Sequence, residues 1–213
     1  MDQPWEHPEW YDLHDTAHSA GAVREPEHYN EFLLALLPLG ESDHLIDMGT
    51  GTGKLARLIV SGYPGLGQIT LVEPNERKLA LALERVKAAS GASTRVHALS
   101  ESLGQGELDA DGEANLVTTG SVLMPVLETM GGPLSEGFEW LRASLEEIRG
   151  QLKRGGWYYA VETLALPWVQ GGLEDPVRRL HFQEFVGELD RAGFDAIECM
   201  YRFRDRIVIR ARR

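Results

Sequence analysis

Apolar residues occur in short, nearly unbroken runs separated by longer stretches in which they recur every three or four positions. The runs at 44–48 (HLIDM), 68–73 (QITLVE), 94–99 (TRVHAL), 114–119 (ANLVTT) and 157–162 (WYYAVE) have the length and the β-branched or aromatic content of buried strands. Helical spacing predicts helices over 53–61, 75–89 and 136–152; the last aligns Phe138, Leu141, Leu145, Ile148 and Leu152 on one side. Another helix is expected over 176–192. An earlier one, over 26–37, has Pro26 at its start and Pro38 and Gly40 past its end. The stretches 194–201 and 206–212 read as strands separated only by a tight turn, so they must pair as an antiparallel hairpin. Segments 100–113 and 120–134 read as irregular, and Lys153-Arg154-Gly155-Gly156 reads as a turn.

Strands alternating with helices predict an α/β fold. The expected architecture is a doubly wound, seven-stranded, mostly parallel sheet with an antiparallel closing hairpin. Residues 1–40 are expected to form an N-terminal helical cap and 41–213 the core. In such a sheet ligands lie beyond the carboxyl ends of the strands. The loops after Asp47, Glu73, Leu99, Thr119 and Glu162 all leave from that edge, so the function is expected there.

Charge narrows the choice of partners. The net charge is −12, which disfavours a large nucleic-acid footprint, since that needs a basic face. Charge is also uneven: residues 1–43 hold ten Asp or Glu and one Arg, whereas 200–213 hold six Arg and one Asp. A solvated acidic face and a closing strand edged with Arg explain this, or else the Arg cluster meets an anion. The single cysteine, Cys199, leaves no internal disulfide framework and fits a cytoplasmic protein. No apolar run is long enough to span a bilayer. The acidic, aromatic start MDQPWEHPEW is unlike a targeting signal.

The stretch with the most chemistry is His44–Leu55, where a strand ends in Asp47 and runs through Gly49, Gly51 and Gly53 into a helix. Such a junction presents backbone N–H groups and the positive end of a helix to a ligand. A phosphate-binding loop of the form G-x-x-x-x-G-K-[ST] is excluded, because Met48 stands at its first glycine and Leu55 at its Ser or Thr. A dinucleotide fingerprint fails as well, since its third glycine falls on Lys54. The pattern that remains, Asp47-Met48-Gly49-Thr50-Gly51-Thr52-Gly53 followed by Glu73 at the end of the next strand, resembles the cofactor motif of class I S-adenosylmethionine-dependent methyltransferases. LKRGG at 152–156 is similar to that family's turn before its fifth strand, and residues 189–212 are similar to its closing hairpin.

The resemblance spans about residues 40–213 and implies S-adenosyl-L-methionine as cofactor. By position it implies that Gly49, Thr50 and Gly51 line the methionine portion, that Gly53 completes the cofactor-binding turn, and that Asp47 helps hold the ammonium, directly or through water. Glu73 would take the ribose hydroxyls, while Pro74 and Asn75 border the adenine. The family's acid after the third strand is replaced by Leu99, leaving Ser100 or Glu101 for the adenine amino group. Thr119, Gly120 and Ser121 would lie beneath the sulfonium. Methyl transfer needs alignment and exclusion of water, and a base only for some acceptors. Candidates for a base are Asp12, His14, His18, His28, Glu162 and His181. Trp10 and Tyr11, with His14, could cover the acceptor, and Trp168 and Glu162 could wall it. His14 and His18 have no evident third ligand, so no metal is expected.

The loop NLVTTGSV lacks the motif of amino-methylating nucleic-acid enzymes, so a small-molecule acceptor is expected, with neither nucleic acid nor membrane as partner. The oligomeric state is left open between monomer and homodimer. Two other readings stay open: a protein that binds the cofactor without transferring the methyl, and another transferase, such as an aminopropyl transferase, on the same scaffold.

Overall fold

Leu45 and Ile46 point to opposite faces of one sheet, and both are fully buried. That requires helices on both sides, which is the condition under which a parallel sheet is stable. The computed structural model describes residues 34–104, 114–130, 134–165, 180–203 and 206–213. Its strands are β1 (His44–Met48), β2 (Gln68–Val72), β3 (Arg95–Leu99), β4 (Ala114–Gly120), β5 (Leu152–Thr163), β6 (Asp195–Phe203) and β7 (Arg206–Arg212). They form one sheet in the order β3-β2-β1-β4-β5-β7-β6. The first five pair in parallel; β7 runs antiparallel to both β5 and β6. The expected doubly wound α/β sheet with its closing hairpin is therefore present.

Helices α1 (Lys54–Gly62) and α2 (Glu76–Ala89) cover one face, burying Ile59, Ala82 and Val86 against Leu45, Ile69 and Leu116. Helices α3 (Leu123–Thr129), α4 (Leu134–Gln151) and α5 (Phe182–Arg191) cover the other, where Leu145 and Phe185 meet Ile46, Val117 and Tyr158. Helix α2 starts as its sequence suggests. The Asn75 Oδ1 accepts the N–H groups of Arg77 and Lys78, each at 3.1 Å, and so caps the first turn. Between α4 and α5, the buried Glu188 accepts from Arg142 Nε at 2.7 Å and from Arg191 Nη1 at 2.5 Å.

Three local expectations are corrected. The irregular stretch 120–134 contains helix α3. The fifth strand begins at Leu152, ahead of the expected 157: Leu152 pairs with Ala114 and Trp157 with Leu116. Residues 153–156 thus bulge between two paired ends, held by Gly155 N–H donating to Arg213 C=O at 2.9 Å. Of the helix expected from 176, residues 176–179 lie outside the described residues, and the described helix starts at Phe182, after an extended His181 whose N–H donates to Glu184 at 2.7 Å. Of the helix expected over 26–37, residues 26–33 lie outside the described residues. The Tyr63 hydroxyl donates to Leu34 C=O at 2.5 Å and ties the chain before β1 to α1. The Arg-rich hairpin finds partners nearby: Arg210 Nε donates to Glu198 at 2.6 Å, and its guanidinium lies 4.7 Å from the Trp157 ring centre.

Gly53 sits where α1 begins against α2. Its φ is +82°, and a Cβ there would lie 2.9 Å from Ala82 Cα. Gly53→Ala combines left-handed strain with a clash against backbone, so urea unfolding should show a loss of about 2–4 kcal/mol. A loss under about 0.5 kcal/mol would show that this contact yields without cost.

Candidate functional site

The carboxyl end of β1 turns through three residues of positive φ, Gly49 at +67°, Gly51 at +55° and Gly53 at +82°. Gly49 N–H and Thr50 N–H both donate to Val72 C=O, at 2.8 and 3.0 Å, so the turn hangs on the last residue of β2. A side chain at Gly49 is excluded by space as well as by φ: its Cβ would lie 2.5 Å from Val122 Cγ2. The segment after β4 therefore packs directly on the glycine turn.

Asp47 lies just beneath this turn and is 1% exposed. Its Oδ2 accepts the Thr50 hydroxyl at 2.7 Å and its Oδ1 the Thr118 hydroxyl at 2.6 Å. Burial pushes its pKa up to about 6; the two hydroxyls pull the other way, and the Glu73 charge adds to the rise. Glu73, one residue past β2, turns back across the turn. Its Oε2 accepts Gly51 N–H at 3.0 Å and its Oε1 accepts Asn75 N–H at 3.1 Å. Asn75 is half-buried and Pro74 exposed at the rim. Past β3, Ser100 is exposed, whereas Glu101 Oε2 is buried with no hydrogen-bond partner.

On the opposite face of the sheet, Thr119 and Glu162 form a second polar cluster. Glu162 is 1% exposed. Its Oε1 accepts Val122 N–H at 3.1 Å and Leu123 N–H at 3.0 Å, and its Oε2 accepts Met124 N–H at 3.4 Å. These are the first N–H groups of α3, whose own N-cap, Val122, offers no side-chain acceptor. Sequence reasoning set this acid as a pocket wall; its carboxylate lies under the start of a helix. Burial pushes its pKa up to about 7 against those three donors. The Thr119 hydroxyl is 2.7 Å from the Tyr158 hydroxyl, whose pKa is pushed up by burial and then by the Glu162 charge. Ser121 follows Gly120 at φ +55° and donates its N–H to Val161 C=O at 2.7 Å.

The sheet edge thus gathers Asp47, Gly49, Thr50, Gly51, Glu73, Asn75, Thr119, Gly120, Ser121 and Glu162. Gly53 is buried against α2 rather than open at the turn. Trp10, Tyr11, Asp12, His14, His18, His28 and Trp168 lie outside the described residues. Thr118, Val122 and Tyr158 were missed. Thr118 had a signal, since a hydroxyl in a buried run needs a partner; Val122 had none. Among the described residues there is no group of three metal-ligating side chains, and no helix long and apolar enough to cross a membrane.

Asp47 binds its proton more tightly folded than unfolded, because its pKa rises from 3.8 to about 6. Its contribution to stability is therefore present below pH about 4 and lost as pH rises to about 6, by about 3 kcal/mol. Asp47→Asn removes that slope. Denaturation from pH 4 to 7 should show the wild type losing stability relative to the variant; parallel profiles would show that Asp47 titrates normally.

No family model matches the chain. A demethylmenaquinone methyltransferase of Chlamydia felis is 45% identical over 47 residues, a match covering 22% of this chain and 20% of that enzyme. Among solved structures, PigF with SAH superposes with a TM-score of 0.69 at 17% identity over 99% of this chain, which spans 61% of that one. An S-adenosylmethionine-dependent methyltransferase from Clostridium acetobutylicum gives 0.67 at 14% identity, over 96% of this chain and 97% of that one. The chain has the fold of the class I S-adenosylmethionine-dependent methyltransferases.

Proposed function

We propose that this chain binds S-adenosyl-L-methionine at the turn after β1 and transfers its methyl group to a small-molecule O, N or C nucleophile. The observation that carries the reading is Glu73 reaching from the end of β2 onto Gly51 N–H. This sets a carboxylate beside a turn of positive-φ glycines, where it can accept two vicinal ribose hydroxyls. A second feature fits the adenine end: the buried Glu101 Oε2 lacks a donor, and an adenine amino group supplies one. Pro74 and Asn75 border that end, and Ser100 stands at its rim.

In this reading Gly49, Thr50 and Gly51 hold the methionine portion, Asp47 receives the ammonium, and Thr119, Gly120 and Ser121 floor the reacting centre. The bound cofactor supplies an activated methyl carbon, so the chain has to align the acceptor and exclude water. Trp10, Tyr11 and His14, within a cap formed by residues 1–40, and Trp168, after the fifth strand, are assigned to the acceptor side. A cytoplasmic location and the lack of nucleic-acid or membrane partners belong to the same proposal.

Titration calorimetry with S-adenosylmethionine and S-adenosylhomocysteine tests the reading. Both should bind, and Glu73→Ala should weaken each by about tenfold or more. No binding by either, or equal binding by the variant, would overturn it. Turnover in cell extract with labelled cofactor should then mark a small molecule; binding without turnover would leave a cofactor-binding protein instead.

A further inference from the structure

Glu162 is buried beneath the start of α3. Its two oxygens accept the N–H groups of Val122, Leu123 and Met124 at 3.1, 3.0 and 3.4 Å. Helix α3 has no cap of its own, so its start is set by a residue of β5. The same Val122 that donates to Glu162 presses its side chain on Gly49, at the point where a Cβ would come within 2.5 Å. Ser121, in between, holds a left-handed φ of +55° while its N–H is fixed on Val161 C=O at 2.7 Å. A non-glycine residue keeps that conformation only where its surroundings over-determine it. β5 therefore holds the segment after β4 at both Ser121 and Val122, and Val122 holds the glycine turn.

We infer that Glu162 is a positioning residue for the cofactor seat, acting through the Val122 backbone and side chain on Gly49 to fix the gap between the glycine turn and the Thr119–Ser121 floor. The inference rests on the proposed cofactor site and adds to it how that site is held open to the right width. Glu162 touches neither cofactor nor acceptor in this arrangement. The path to the turn runs through Val122, whose atoms are the three nearest to where a Gly49 Cβ would stand; Glu162 Oε1 also accepts the Thr119 hydroxyl of the floor, at 3.5 Å.

The test uses Glu162→Gln, Glu162→Ala and Val122→Ala in the full chain, with S-adenosylhomocysteine as the calorimetric probe and urea unfolding to score stability. Glu162→Gln keeps one acceptor oxygen for Val122 and Leu123, so affinity should fall about threefold, against about tenfold or more for Glu162→Ala. Val122→Ala should weaken binding several-fold, and adding it to Glu162→Gln should cost little more, since both act along one path. Wild-type affinity in variants that lose stability would overturn the inference, as would independent, multiplying effects. Hydrogen exchange without ligand separates this claim from the cofactor reading. In Glu162→Gln, exchange should rise at Gly49 and Thr50 as well as over 122–129, even if the wild type bound no cofactor. A rise confined to 122–129 would overturn the coupling.

Discussion

Gly49 has no room for a side chain, because Val122 occupies the place a Cβ would take. Much of the described edge follows from that contact. The turn after β1 hangs on Val72 C=O through the Gly49 and Thr50 N–H groups, and the segment after β4 closes over it. That segment can close only if something holds a helix start that has no cap of its own. Glu162 supplies the hold from β5, and Glu73 supplies the matching one from β2 by accepting Gly51 N–H at 3.0 Å. Two carboxylates, from strands on either side of the β1–β4 pair, thus fasten backbone that a parallel sheet leaves unpaired at its carboxyl edge.

The third acid has a different task. Asp47 is buried and near a second negative charge, so, against the pull of two threonine hydroxyls, it carries a proton more readily than an ordinary carboxyl. An ammonium group arriving beside it would favour the ionised form, so ligand and proton would compete for one site. Burial thus makes an ionised Asp47 costly on its own and a suitable partner for a cation.

Much of this was legible in the sequence, for physical reasons. Apolar runs buried on both faces identify parallel strands, and the spacing of Gly49, Gly51 and Gly53 after Asp47 identifies the turn. What was not legible depends on distant residues. Helix α3 was missed because its N-terminus is satisfied by Glu162, about forty positions along the chain, and not by a local cap. The early start of β5 was missed because Leu152 pairs with Ala114 across a bulge that looks like a plain turn. The hold of Glu162 on α3 was not legible for a related reason: its backbone donors come from a segment about forty positions earlier in the chain.

The most direct measurement is a crystal structure with S-adenosylhomocysteine bound. The account predicts the ribose hydroxyls within hydrogen-bonding distance of the Glu73 carboxylate, the amino acid portion over Gly49–Gly51 with its ammonium toward Asp47, and Val122 still packed on Gly49. A ligand bound away from the carboxyl end of β1, or one whose ribose leaves Glu73 untouched, would contradict it.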